Sequence, residues 1–144
     1  MALILRPANA ADARLLFDWR NDAVTRQNSL ETDMVSWSEH QRWLGASLAR
    51  QDRQLLIAEV DSEPVGTVRL DQGHNGCELS WTVAPGQRGR GLGKAIVAAA
   101  IALAGPGILI ARIKRENAAS LRIADACGFA CVGSADDILT YRRG

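Results

Sequence analysis

Cysteine, histidine, tyrosine and net charge are all scarce in this sequence, and each scarcity excludes something. The three cysteines, Cys77, Cys127 and Cys131, are an odd number whose spacing fits neither a disulfide framework nor paired CxxC zinc knuckles. With His40 and His74 as the only histidines, no metal site is expected, and small buried or partly buried thiols are the simpler reading. Lysine plus arginine number 17 against 16 for aspartate plus glutamate, so no global field recruits nucleic acid or an anionic membrane. Any anion must be captured locally. The most apolar run, Ala95 to Ala104, is half of the roughly 20 residues that cross a bilayer and stops at Gly105-Pro106-Gly107. Met1 to Leu5 lacks the basic region and apolar stretch of a signal peptide, so a cytoplasmic protein is expected.

What is present reads as one globular domain over residues 1–144. An apolar share of 47% with 23% charged residues suits a single buried core without low-complexity stretches. Leu3, Ile4 and Leu5 predict a short strand ending at Pro7. Asn9 or Asp12 then caps a helix to about Arg20 whose Leu15, Leu16 and Trp19 share a side. A loop through Ser29 and Thr32 leads to Ser36 or Ser38, caps for a second helix carrying His40, Trp43, Leu44 and Leu48. Strands follow at 54–60, 65–70 and 77–83, joined by the turns Asp61-Ser62-Glu63-Pro64 and Asn75-Gly76. Beyond Ala84-Pro85-Gly86 the pattern gives a helix at 91–104, apolar nearly all round and so expected to be buried on most sides. A strand at 108–113, a helix at 118–126 and closing strands at 129–132 and 138–142 complete the chain. The order βαα-βββ-α-β-α-ββ points to an α/β sandwich around a mixed sheet.

The segment Gln87-Arg88-Gly89-Arg90-Gly91-Leu92-Gly93-Lys94 stands between a strand and the first turn of a helix. Helix starts expose unpaired N–H groups and the positive end of the dipole, so an anion is stabilised there. Three glycines let the main chain approach it, and Arg88, Arg90 and Lys94 bring positive charge. Two familiar phosphate loops are excluded by register. A GxGxxG dinucleotide fingerprint starting at Gly89 needs glycine where Lys94 stands. A Walker loop ending at Gly93-Lys94 needs glycine at Arg88 and serine or threonine at Ala95.

These residues closely resemble the GNAT acetyltransferase superfamily, in which Arg/Gln-x-x-Gly-x-Gly/Ala after a strand cradles the pyrophosphate of acetyl-coenzyme A. Glu78-Leu79-Ser80-Trp81-Thr82-Val83-Ala84-Pro85 looks like the strand before that loop. Asn117-x-x-Ser120 with Gly128-Phe129 looks like the family's second signature, and the element order is similar throughout. The resemblance implies a mixed, mostly antiparallel central sheet flanked by helices and an enzyme that uses acetyl-CoA, without a metal. It further implies that the backbone of Trp81, Thr82 and Val83 pairs with the pantetheine arm and holds the acetyl carbonyl. Arg88, Gly89, Arg90, Gly91, Leu92, Gly93 and Lys94 would take the pyrophosphate. Asn117 would bond the cofactor's amide arm or thiol end, or act as a plain helix cap, and Ser120 would bond the cofactor or stay within its own helix's first turn.

Direct acetyl transfer needs a neutral amine, stabilisation of the carbonyl oxygen, and a proton for the leaving thiolate. On the strand at 77–83, Glu78, Ser80 and Thr82 share one face and Leu79, Trp81 and Val83 the other. Glu78 is a candidate base, or else a solvated or salt-bridged strand carboxylate. Many relatives carry a tyrosine acid seven residues after the signature asparagine, where this sequence has Ala124. Tyr141 is the only tyrosine left for the role, water being the other proton source. Ribosomal-protein N-terminal acetyltransferases carry a glutamate where Arg112 stands here. Trp19-Arg20-Asn21-Asp22, Ser29 and His40-x-x-Trp43 resemble acetyltransferases of nucleotide-linked 4-amino sugars. On that resemblance Arg20 and His40 face the acceptor, His40 binding a hydroxyl or moving a proton, with Arg69 assisting. The expected partner is therefore a small-molecule amine, and a homodimer is compatible with the pattern. A protein N-terminal or lysine acetyltransferase, and a non-catalytic acyl-CoA sensor, are the alternatives.

Overall fold

The computed structural model describes residues 2–144; Met1 lies outside them. Strand β1 (Leu3–Pro7) is followed by a short 3-10 turn capped by Asn9, whose side chain accepts from Ala11 N while Asp12 accepts from Asn9 N. Asp12 is buried because Arg6 holds it with two bonds of 2.8 and 2.9 Å, which keeps its carboxyl below the usual range. Helix α1 (Ala13–Asn21) buries Leu16 and Trp19, the stripe that the spacing predicts. Helix α3 (Trp37–Ala49) begins at the Ser36 cap, and strands β2 (Arg53–Val60), β3 (Glu63–Gly73) and β4 (Gly76–Val83) run antiparallel in succession. Helix α4 (Leu92–Ala104), strand β5 (Leu109–Lys114), helix α5 (Ala118–Ala126) and strands β6 (Ala130–Ala135) and β7 (Ile138–Arg143) complete the fold.

The seven strands form one sheet in the order β1-β2-β3-β4-β5-β7-β6, antiparallel except where β4 meets β5. One face carries α4 and α5 over a core that includes Val68, Leu70, Leu79, Ile96, Val97 and Ala111. The other face carries α1 and α3 over a second cluster of Leu16, Trp19, Leu44, Leu55 and Ile57. The alternation of each strand sorts its side chains between these two layers.

Four details add to or depart from the sequence reading. The stretch expected to be loop contains helix α2 (Ala23–Asn28), six residues with no buried side chain and hence no apolar period to reveal it. It is held by its cap, Asp22 accepting from Thr25 N at 3.0 Å. The turn between β2 and β3 is two residues, Asp61 and Ser62, both at positive φ (52° and 66°), so Pro64 belongs to β3 instead of the turn. A register shift between Ala58 and Glu59 accommodates the change. Helix α4 is covered on most sides but leaves one exposed strip, Lys94, Ala98, Ala102 and Leu103, because alanine favours a helix whether or not it is covered. Finally, Phe129 lies before β6, in the core, while β6 itself extends to Ala135 and is exposed throughout.

Gly66 shows how closely β3, β4 and α4 meet. A Cβ there would lie 2.5 Å from the Thr82 carbonyl oxygen and 2.7 Å from Ile96 Cδ1. Gly66→Ala should therefore destabilise the fold by about 1–3 kcal/mol. Gly45→Ala, in the middle of α3 with nothing within 4 Å, should stabilise it by about 0.5–1 kcal/mol. Urea unfolding midpoints moving in opposite directions would bear this out; a neutral Gly66→Ala would contradict the packing.

Candidate functional site

Strands β4 and β5 pair over only two positions, Cys77 with Leu109 and Glu78 with Ile110. Past these the strands diverge, although β4 continues its ladder with β3 as far as Val83 and β5 its ladder with β7 as far as Lys114. Each strand is thus fixed on its outer side and unpaired on the side facing the other. A buried peptide group without a partner is costly, so two facing rows of them form a slot suited to an extended amide-bearing chain. Trp81, Thr82 and Val83 lie on one edge of that slot. Trp81 and Val83 turn toward the α4 core, and Thr82 turns with Glu78 and Ser80 to the opposite face.

The slot leads to the start of α4. Gly91, the N-cap residue, sits at φ 74° and ψ 10°, and no side chain among the described residues caps the helix. Gly89 is likewise left-handed at 79°. A Cβ at either position would meet nothing within 4 Å, so the space beside the turn is open. The amides of Leu92, Gly93 and Lys94 have no intrahelical acceptor by geometry. At Gly93 the lack of a Cβ lets α5 and Val83 lie close to the helix start; a Cβ there would fall 2.5 Å from Ile123 Cδ1, the end of a side chain that would have to turn aside. This turn fits a diphosphate in shape, free donors and dipole direction.

Several side chains differ from expectation. Arg88 directs its Nη2 to Asp22 Oδ2 at 2.6 Å and to Thr25 Oγ1 at 3.1 Å, so its charge is committed to α2. Asp22 is consequently held below the usual carboxylate range, chiefly by that guanidinium. On the other lip of the slot Lys114 Nζ donates to the Gln27 carbonyl oxygen at 3.0 Å. Helix α2 therefore straps both lips, a role the sequence signalled only through the short cap pattern Asp22-x-x-Thr25. Arg90 pairs with Gln87, and Lys94 is exposed at the mouth of a 440 Å³ concavity between α4 and α5 that also touches Cys127 and Arg143. Asn117 Oδ1 accepts from Ser120 N at 3.2 Å, which makes it the cap of α5; its amide nitrogen and the Ser120 hydroxyl are what remain for a ligand.

Tyr141 packs in the core on the α4 and α5 side, opposite Ala111 and Cys131, and burial pushes its phenol up from the usual value. Alternation along β7 directs it to the face away from Glu78, into the layer that also holds Ala124. Glu78 does face the groove, and its Oε2 accepts from Arg112 Nε at 2.7 Å. Arg69, on the same face, donates through Nε to Asp71 at 3.0 Å. Burial also pushes up the thiols of Cys77 and Cys127, which keeps them protonated and poor nucleophiles near neutral pH.

Arg20 and His40 do come together, in the seam between α1 and α3. Arg20 Nη2 donates to the Glu31 carbonyl oxygen at 3.1 Å, while Asn21 bonds both N and O of Val35, fixing the loop that follows α2. His40 is 3% exposed among Phe17, Trp37 and Trp43. Burial, with the nearby Arg20 charge, pushes its imidazole below the ordinary value, against a backbone hydrogen bond at Ala13. Arg20 Nη1, His40 Nε2 and Trp81 Nε1 are buried with no partner among the described residues. Such atoms in a native fold call for a water or a ligand. Among the described residues no group of three metal-ligating side chains converges, and no helix is long and apolar enough to cross a membrane.

The sequence model of the acetyltransferase (GNAT) domain matches residues 2–130 of the chain. No curated protein gives a significant match. Among solved structures the chain is similar to spermidine N-acetyltransferase from Vibrio cholerae in complex with CoA and spermine. That likeness has 17% identity and a TM-score of 0.85 over 97% of this chain and 92% of that one. It is similar to aminoglycoside acetyltransferase AAC(6')-Ib in complex with coenzyme A and kanamycin, at 20% identity and a TM-score of 0.83, over 98% and 93% of the two chains. It is also similar to ribosomal-protein-alanine N-acetyltransferase from Brucella melitensis, at 26% identity and a TM-score of 0.79, over 97% and 98%.

The buried imidazole gives a pH signature. Because the folded value of His40 lies below the unfolded one, the unfolded chain takes up the proton first. Stability from this group is whole above about pH 6.5 and is lost as pH falls through it. Carboxylates such as Asp12 and Asp22, with lowered values, act at lower pH. His40→Phe should flatten the decline in urea midpoint between about pH 7.5 and 5.5. An unchanged slope would show that His40 is not buried neutral.

Proposed function

The chain belongs to the GNAT acetyltransferase family and is an acetyl-CoA-dependent N-acetyltransferase, and from that premise we propose direct acetyl transfer to the primary amine of a small molecule, such as a nucleotide-linked amino sugar. The observation that carries the reading is the slot between β4 and β5 opening onto an uncapped helix start. When bound, acetyl-CoA supplies an activated thioester. The free edge at Trp81, Thr82 and Val83 would hold the pantetheine arm and donate a main-chain N–H to the acyl carbonyl oxygen. The turn from Gly89 to Lys94 would hold the pyrophosphate through main-chain amides, with Arg88 positioning α2 over the slot. Lys94 and Arg143, flanking the groove between α4 and α5, suit the donor's nucleotide end. Asn117 and Ser120 would offer an amide nitrogen and a hydroxyl beside the arm.

Glu78 keeps one oxygen, Oε1, without a hydrogen-bond partner among the described residues, and would take the proton from the incoming ammonium directly or through a water. The amine nitrogen would then form its bond to the acyl carbon as the carbon–sulfur bond breaks and sulfur keeps the electron pair. The second proton, shed by that nitrogen as it becomes an amide, would pass through water to the thiolate, while the first stays on Glu78 until solvent takes it up. Cys77 and Cys127, whose thiols burial keeps protonated, are poor acyl carriers, which favours direct transfer over a covalent relay through either. The unpaired nitrogens of Arg20 and His40 support an acceptor rich in oxygen, as an amino sugar is. Three free cysteines suit a reducing compartment, and we place the reaction in the cytoplasm. A protein N-terminal amine is the second reading, favoured by the 26% identity with the ribosomal-protein-alanine enzyme.

Thiol release from acetyl-CoA, measured across amino sugars, polyamines and peptides, separates these readings. Amine-dependent release with an amino sugar supports the first, with a peptide N-terminus the second, and cofactor binding without release for any amine contradicts both. Gly91→Asp places a carboxylate beside the diphosphate and should weaken CoA binding by about tenfold or more in calorimetry while the protein stays folded. Unchanged affinity would place the diphosphate elsewhere.

A further inference from the structure

The groove floor, the face of β3, β4 and β5 opposite α4, carries a charge pattern that the transfer chemistry does not require. Arg53 bonds Asp71 at 2.7 Å, Arg69 bonds the same carboxylate at 3.0 Å, and Arg112 bonds Glu78 at 2.7 Å. Lys114 follows on the same face at the upper end of β5. Three cations of that face, Arg69, Arg112 and Lys114, therefore share the floor with two carboxylates, and Arg53 reaches Asp71 from β2.

The arginines divide into two kinds. Arg6 and Arg53 sit in structural seams, and each commits all three guanidinium nitrogens: Arg6 to Glu59, Asp12 and the Pro7 carbonyl, Arg53 to both oxygens of Asp71 and to Ser47. Arg69 and Arg112 each commit only Nε. Their terminal nitrogens donate to no group among the described residues. Arg69 does so although burial works against its charge, and only 31% of its side chain is exposed. A partly desolvated guanidinium with idle donors has the fork geometry that binds carboxylate or phosphate in pairs of bonds. Arg69 stands directly across from Ser80 in the β3–β4 register, and Glu78 lies within electrostatic reach of it, so the two forks flank the candidate base.

We propose that Arg69 and Arg112 form an anion subsite that selects acceptors carrying a phosphate or carboxylate away from the reacting amine. This rests on the reading of the chain as an amine acetyltransferase and narrows its substrate class. Polycationic amines, of the kind named with the spermidine and aminoglycoside enzymes, meet an excess of like charge on this floor. The carboxylates of Asp71 and Glu78 hold the forks apart and oriented, leaving the outer nitrogens for the substrate.

The test uses acceptors that share one amine. Glucosamine, glucosamine 6-phosphate and muramic acid are compared by kcat/KM in thiol release and by calorimetric titration in the presence of CoA, with spermidine as a polycation. The wild-type protein should prefer the anionic forms by about tenfold or more, and added salt should erode the preference. Preference for both anionic forms marks a general anion site, and preference for the phosphate alone a phosphate site; either supports the subsite. Arg112→Gln, at a half-exposed position, and Arg69→Gln should each reduce the anionic-to-neutral ratio by about tenfold, mostly through KM. A merely structural role would lower both acceptors together and leave the ratio unchanged, which would overturn the proposal, as would a wild-type ratio near one. Thermal unfolding of both variants verifies the fold. Calorimetric preference without turnover would sink the transferase reading and leave the subsite standing, whereas turnover without preference would do the reverse.

Discussion

The structure depends on a ladder that stops. Two register pairs join β4 to β5, and beyond them each strand is anchored only on its far side, β4 by β3 and β5 by β7. Closing the slot would require one of those antiparallel ladders to yield. Leaving it open strands a row of peptide groups that water or a ligand must satisfy. The helix after β4 extends the same logic. Gly91 in a left-handed conformation begins α4 without a side-chain cap, so donors of the strand edge and of the helix start are presented along one path. An extended molecule with amides at one end and a diphosphate further along matches that path.

The rest of the site is electrostatic tailoring of the two faces. On one lip Arg88 is drawn to Asp22 and on the other Lys114 to Gln27, so α2 bridges the slot at its open end. Of the loop's basic side chains Arg88 thus braces the wall of the acceptor side, and the main-chain amides are the donors proposed to meet the diphosphate. The groove floor is basic in excess, and with Glu78 as the proposed proton acceptor that combination would favour an amine attached to an anion over a polyamine.

The core, the succession of elements and the glycine turn were legible because each leaves a local trace. Alternation marks β2 to β4, apolar runs mark α4, and glycine at 89 and 91 marks left-handed backbone. What escaped the sequence is what depends on distant partners. Helix α2 buries nothing, so no periodicity announces it. Arg88 finds Asp22 across 66 residues. Tyr141 alternates along β7 like any strand residue, and only the sheet's layering shows that its face is the core. Asn117 carries a cap and a signature at once, and the fold shows its oxygen committed to the cap.

Backbone amide resonances test the central claim most directly. On titration with CoA, the amides of Val83, Gly89, Gly91, Leu92 and Gly93 should shift together along one binding curve. Pantetheine, which lacks the diphosphate, should move Val83 and leave the glycine turn in place. Loop amides that stay still while CoA binds would contradict the account.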